Sequence, residues 1–342
     1  MNILICAAQV PFARGGAEML AEGLRDALRG AGHGAEIVAL PFQWTPHTEL
    51  FKSALAWRLV DLKIANGVKV DRIIATKFPS YAAQHPHKIV WLVHQYRQAY
   101  DWYGTPLSEF TASAEDRATR EKLFVLDRRA LGEARARFAI SKNVAARLKR
   151  FNALEATPLY PPPRLTGKFF AGEYGDYILY VGRLDRAKRI DLLLRALAKT
   201  KRGRVVIAGA GAEEQNLKRL TSNSGIAARV EFLGYVDDAR VLELYANARA
   251  VYYAPLDEDY GFATVEALMA ARPVITTDDA GGVLEFIENE KDGWVTRADT
   301  DEIASSLSRA FADAPQCRAF GEAGRARVQN IRWEYVVEQL IA

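Results

Sequence analysis

Cysteine is almost missing from this 342-residue chain: Cys6 and Cys317 stand far apart with no partner spacing. That argues against both a disulfide framework and a zinc site and fits a reducing compartment. No apolar run approaches the length of a membrane span. The opening "MNILICAAQVPF" lacks a basic n-region and its apolar run stops at "FARGG", so it reads as a first strand rather than a signal peptide. Low-complexity tracts are absent. The third glycine of a dinucleotide fingerprint is missing from "GAGAEE", where Glu213 and Glu214 stand at the place a phosphate would occupy.

What remains is the composition of an ordinary soluble globular protein, 49% hydrophobic and 26% charged. The length suits about two domains. The net charge of +4 hides an asymmetry: from Arg117 to Arg150, eleven Lys or Arg face three Asp or Glu. Such a segment is either a solvated helical face or a basic patch for a membrane surface, a phosphate-bearing lipid or nucleic acid.

Short apolar runs alternate with helical patterns. "NILICAA", then "AEMLAEGLRDALRGAG" with its glycine stop, then "AEIVAL" make a βαβ unit. "RIIAT", "KIVWLVH" and "ARFAIS" follow as strands, with helices expected at Ala54 to Ile64, Glu115 to Arg137 and Val144 to Phe151. At "TPLYPPPRLTGKFF" three consecutive prolines deny the backbone both a helix and a central strand, which marks an interdomain linker. The alternation restarts with "YILYVGRL" and continues through "RVVIAGAG", "VEFLGYV" and "AVYYAP" to helices after Asp301. The expected architecture is two tandem, doubly wound, Rossmann-like α/β domains, residues 1–160 and 161–330, facing a central cleft at the carboxyl ends of their sheets; residues 331–342 form a helix that packs back on the first domain.

The stretch "PLDEDYGFATVEALMAARPVI" places Glu258 in a loop at a strand's carboxyl end and Glu266 about two turns along a short helix. The amides of Gly261, Phe262 and Ala263 sit at that helix's N-terminus, suited to sugar hydroxyls or phosphate oxygens. After "YILYV", Gly182 permits close backbone approach while Arg183 and Lys188 can neutralise a diphosphate. Asp257 and Asp259 form an Asp-x-Asp that leaves a divalent cation open as a rival reading.

Together these segments closely resemble the retaining glycosyltransferases of family 4, which have the GT-B fold. The likeness spans the chain and is most specific from Tyr177 to Gly282; "FARGGAEMLAEGLRDALRG" resembles the family's glycine loop and first helix. The resemblance implies that Arg183 and Lys188 hold the donor diphosphate and that Glu266 takes the ribose hydroxyls. It implies that Glu258 contacts the donor sugar, and that Gly182, Gly209, Val236 and Gly261 to Ala263 complete the donor site. Gly15 and Gly16 would line the acceptor side, and His94, at the end of "KIVWLVH", would contact the sugar; the catalytic set is then Glu258, Arg183, Lys188 and His94. Ala263 and Ala271 stand where many members have glycine. "EDYG" and the proline-rich linker are similar to mannosyltransferase-like members, which points to a GDP or UDP donor, GDP-mannose foremost.

The resulting expectation is a metal-independent, cofactor-free hexosyltransferase that keeps the anomeric configuration and takes a glycan or lipid-linked acceptor in the cytoplasm, without nucleic acid. A nucleotide-sugar epimerase or a catalytically silent nucleotide-binding protein on the same fold stays open beside it. "FKSALAWRLVDLKI" sets Phe51, Leu55, Leu59 and Leu62 on one stripe, a pattern more often of core packing and compatible with an interfacial helix. With the basic segment it suggests work at the cytoplasmic face of an anionic membrane.

Overall fold

Strand β1 (Asn2–Gln9) is buried at six consecutive positions, so both of its faces are covered, as in the middle of a parallel sheet. The structure is a computed structural model that describes residues 1–11 and 15–342; three residues of the glycine loop, 12–14, lie outside the described residues. These residues divide into two units, 1–164 together with 331–342, and 165–330.

In the first unit α1 (Gly16–Gly30) leads from β1 to β2 (Gly34–Pro41), and α2 (Glu49–Leu59) to a small hairpin, β3 (Ile64–Ala65) and β4 (Val68–Lys69). Then come β5 (Arg72–Ala75), β6 (Lys88–Leu92), α3 (Ala114–Gly132), β7 (Ala136–Ala139), α4 (Lys142–Asn152) and β8 (Thr157–Pro158). The main sheet runs β2-β1-β5-β6-β7-β8 and every pair is parallel. Pro158 is tolerated because β8 is the edge strand, where a missing amide donor leaves no ladder bond unmade. The proline-rich segment therefore begins inside the first sheet.

The second unit contains β9 (Tyr177–Val181), α5 (Ile190–Ala198), β10 (Arg204–Ala208), α6 (Glu214–Asn223) and β11 (Val230–Gly234). It continues with α7 (Asp238–Asn247), β12 (Ala250–Tyr252), α8 (Phe262–Met269), β13 (Val274–Thr277), β14 (Gly293–Thr296), α9 (Thr300–Ala312) and α10 (Ala314–Val328). Its sheet, β11-β10-β9-β12-β13-β14, is wholly parallel. Read as third, second, first, fourth, fifth and sixth strands, this is the doubly wound order whose direction switches between β9 and β12.

The last helix, α11 (Trp333–Ile341), belongs to the first unit, where the Trp333 ring lies edge-on to Trp91 at 6.2 Å. Among the described residues no helix is long and apolar enough to cross a membrane.

Three expectations are corrected. Helix α2 starts at Glu49 and stops at Leu59, before the stripe read from the sequence is complete: Leu55 and Leu59 stand exposed, whereas Leu62 lies beyond the helix and is buried. The chain leaves the helix at Val60, which is extended at φ −70° and ψ 122°, and Asn66 and Gly67, both at positive φ, then form the turn of the hairpin. Helix α3 ends at Gly132, and Arg137 lies in β7. His94 follows β6 by two residues rather than ending it. Ala271 sits at φ 56°, in the left-handed region that glycine enters without strain.

Candidate functional site

The carboxyl ends of β9 and β12 flank the switch point of the second sheet, the place where doubly wound sheets receive ligands. From β9 the chain passes through Gly182, Arg183 and Asp185 into a single 3₁₀ turn, Arg186–Lys188. This loop is locked onto the one after β10: Gly182 N–H donates to the Ala208 carbonyl at 3.0 Å and Leu184 N–H to that of Ala210 at 3.0 Å. Gly209 is what allows the approach, since a Cβ there would lie 1.9 Å from the Gly182 carbonyl oxygen. Its missing side chain is thus required by loop packing.

Lys188 points inward and is only 9% exposed. Its ammonium donates to the Tyr253 hydroxyl at 3.1 Å and pairs with Glu258 Oε2 at 2.5 Å. Burial by itself lowers the ammonium's pKa; the Glu258 carboxylate, with Tyr180 and Asp185 nearby, more than reverses this and holds Lys188 above its ordinary range. Tyr253 and Tyr180 stack at 6.3 Å, and burial, then the neighbouring charges, push both phenols well above their usual range. Arg183 differs from Lys188: its side chain is 71% exposed and meets Asp185 at 3.2 Å.

After β12 the acidic loop is zipped to the loop beyond β13. Asp257 N–H donates to the Asp279 carbonyl at 2.9 Å, Glu258 N–H to that of Ala280 at 3.1 Å, and Gly282 N–H returns a bond to the Glu258 carbonyl at 2.8 Å. Asp279 is in turn clasped by Arg189, whose guanidinium reaches both carboxylate oxygens at 2.7 Å. These contacts fix the backbone from which Glu258 projects.

Gly261 then caps α8 at φ 86°, a conformation in which a Cβ would also lie 2.7 Å from a Val283 methyl. Among the described residues no acceptor takes the amides of Phe262 and Ala263, and the buried Thr264 Oγ1 beside them has no partner. They are open donors at a helix N-terminus. One turn further, Glu266 accepts a hydrogen bond from the Tyr245 hydroxyl at 2.8 Å, and burial, then this carboxylate, raise the phenol well above its usual range. Val236 lies half-buried just beyond β11.

The second unit therefore gathers Gly182, Arg183, Lys188, Gly209, Val236, Glu258, Gly261, Phe262, Ala263 and Glu266 along the carboxyl edge of one sheet or at the start of α8. Gly15, Gly16 and His94 belong to the first unit. There the Gly15 amide donates to Glu18 Oε2 at 2.9 Å, and Glu18 is held by Lys77 at 2.7 Å. His94 Nδ1 lies 2.6 Å from the Gln95 carbonyl, a contact that needs the proton on Nδ1. Sequence reasoning missed the tyrosines that orient the site, Tyr245 and Tyr253. Both sit in runs that read as strand or helix core, and only the spatial meeting with Glu266 and Lys188 distinguishes them.

The fold is that of the GT-B glycosyltransferases. Over 99% of this chain and 97% of the other, it superposes on sucrose-phosphate synthase from Thermosynechococcus elongatus with a TM-score of 0.76 at 21% identity. Residues 167–327, nearly all of the second unit, match the family described as Glycosyl transferases group 1. An uncharacterized glycosyltransferase of Methanocaldococcus jannaschii is 35% identical over 140 residues, and the human alpha-1,3/1,6-mannosyltransferase 29% identical over 172. Those alignments cover 40% and 45% of this chain but only 36% and 41% of the relatives.

Proposed function

We propose that the chain is a glycosyltransferase that moves a hexose from a nucleotide-diphosphate sugar to a hydroxyl of a glycan or lipid-linked acceptor, with retention of configuration. The observation that carries this reading is the meeting of Lys188, Glu258 and the open amides of α8 at the switch point, with Glu266 one turn beyond. A cation beside a free helix N-terminus suits a diphosphate, Glu258 a sugar and Glu266 a ribose.

In this mechanism the negative charge that develops on the leaving diphosphate is stabilised by Lys188 and the α8 amides, preorganised before the reaction, and by the exposed Arg183. Glu266, oriented by Tyr245, holds the ribose, and Glu258 holds the sugar. A phosphate oxygen of the departing group takes the acceptor's proton on the same face, so no protein base is required. We further propose GDP-mannose as the donor, supported by the mannosyltransferase among the relatives, and the cytoplasmic face of an anionic membrane as the place of work.

The test is a thermal-shift screen with UDP, GDP, ADP and dTDP, in EDTA and in Mg²⁺, followed by product analysis with the sugar of the stabilising nucleotide. A ligand at about 100 times its dissociation constant adds roughly 2.7 kcal/mol of stability. The expected result is one preferred nucleotide whose effect survives EDTA. Loss of the shift in EDTA with recovery in Mg²⁺ would transfer the diphosphate to a cation at Asp257 and Asp259.

A further inference from the structure

Among the described residues nine large apolar side chains stand exposed, and four of them, Leu55, Leu59, Ile64 and Val68, fall in one short stretch of the first unit. More than half of each is open to water. The last two belong to the β3–β4 hairpin, in which every residue from Lys63 to Lys69 is exposed on both faces. Ile64 stands opposite Lys69 and Ala65 opposite Val68, so each face of the hairpin carries an apolar side chain. A short two-stranded hairpin whose side chains all stand open to water is marginal on its own, and concentrated exposed apolar surface marks a site of interaction.

The charge around this hairpin selects the partner. A cavity of about 620 Å³ opens at its base, lined by Lys63, Lys69, Arg72 and His87, with Ile64 at its edge. The one carboxylate in its wall, Asp71, accepts from the Asn2 amide at 2.9 Å and lies 4.0 Å from the Lys69 ammonium. Asp61 lies close by and accepts from the Lys63 amide at 3.0 Å. The guanidinium of Arg72 is fixed by the Ala342 carbonyl at 3.2 Å and by that of Leu340. Arg135 adds a further cation, its Nε 2.8 Å from the Pro86 carbonyl.

We propose that the β3–β4 hairpin and the cavity beneath it form a docking surface for an anionic lipid bilayer. Ile64 and Val68 enter the boundary between headgroups and acyl chains, Lys63 and Lys69 lie at the level of the headgroups, and the cavity receives a lipid phosphate. Small apolar tips flanked by lysines, where Lys63, Lys69, Arg72 and Arg135 outnumber Asp61 and Asp71, match an interface that is apolar within and negative at its surface. The proposal deepens the lipid-linked acceptor reading and places the contact on the hairpin, away from the basic helices α3 and α4.

The test is sedimentation of the full chain with phosphatidylcholine vesicles and with vesicles containing phosphatidylglycerol, at low and high salt. Binding is expected only to the anionic vesicles and is expected to weaken with salt. At about 1 kcal/mol per basic residue, the Lys63→Gln, Lys69→Gln double variant should bind roughly 30-fold more weakly. Ile64→Asp with Val68→Asp should abolish binding, and Val68→Trp should be quenched by lipids with brominated chains. Each variant is checked by its thermal unfolding and its nucleotide-induced shift, both of which should match the parent. A parent protein that stays in the supernatant at low salt, or variants that bind like the parent, overturn the proposal. So does sedimentation velocity in which the aspartate variant loses a dimer while vesicle binding persists. Vesicle binding is read without donor or turnover, so its failure leaves the nucleotide assignment standing, and the reverse also holds.

Discussion

Replacing Glu258 by glutamine keeps the shape of the side chain and an acceptor for Lys188 but removes the charge that offsets the burial of its ammonium. Removing one partner of a buried pair costs about 3–5 kcal/mol, because the other charge is left uncompensated. Here the Glu258 side chain is 22% exposed, so water already screens part of the pair and about 2–3 kcal/mol is the better figure. For a unit of this size that is roughly 4–12 °C in melting temperature. The sign of the pH dependence is a sharper test. In the parent Lys188 is held above its ordinary range, so the stabilisation is complete below the unfolded lysine value of about 10.4 and is lost only as pH rises through the higher folded one. In the variant burial acts without the carboxylate and pulls Lys188 below that value. The unfolded chain then holds the proton more tightly, and stability rises with pH up to about 10.4. Scanning calorimetry near neutral pH and again near the lysine range should show a deficit that narrows as pH rises. An unchanged melting temperature, or a deficit of constant size, refutes the account.

Other expectations follow from single contacts. Tyr245→Phe removes the hydrogen bond that orients Glu266, and at about 0.5–1.5 kcal/mol it should weaken nucleotide binding roughly 2- to 10-fold in calorimetry while leaving the turnover of saturated enzyme nearly unchanged. Arg183→Ala should lower turnover by about 100-fold or more with an unchanged melting temperature, because the side chain is exposed and, among the described residues, meets only Asp185 at the surface. Steady-state rates near those of the parent would remove Arg183 from the diphosphate clamp. Ala271→Gly relieves a left-handed alanine, worth about 1–2 kcal/mol, against about 0.5–1 kcal/mol of added unfolded-chain entropy, so a melting temperature raised by a few degrees is expected.

How much of this was legible before the structure depends on how local the cause is. The alternation of apolar runs and amphipathic helices placed nearly every strand of both sheets, because a buried parallel strand is apolar on both faces. Strand β14 escaped because "GWVT" is short and opens on glycine; that glycine is required by the Val274 carbonyl, which would lie 2.2 Å from a Cβ at residue 293. The end of α2 was misjudged because a helical stripe continues through Leu62 in the sequence, while the chain turns extended at Val60 with no glycine or proline there to mark it. In the site, Lys188, Glu258 and Glu266 could be named from spacing and resemblance. That Lys188 would be occupied by Glu258, and Glu266 by Tyr245, follows only from contacts between residues 70 and 21 positions apart.

The same ion pair bears on affinity as well as stability. The Lys188 ammonium is already engaged by Glu258 and Tyr253, so an arriving diphosphate competes with a carboxylate for a charge that is not idle. If Lys188 is the diphosphate ligand, neutralising Glu258 frees it and removes a like charge from the neighbourhood of the phosphates. Glu258→Gln is therefore expected to bind the free nucleoside diphosphate at least as tightly as the parent, even though it is less stable and transfers sugar poorly. Glu266→Gln should do the opposite and lose nucleotide affinity, since its carboxylate is assigned to the ribose. Calorimetry with the nucleotide alone separates the two. Loss of nucleotide affinity in Glu258→Gln would mean that Lys188 serves to hold Glu258 in place and that the diphosphate rests on Arg183 and the open amides of α8.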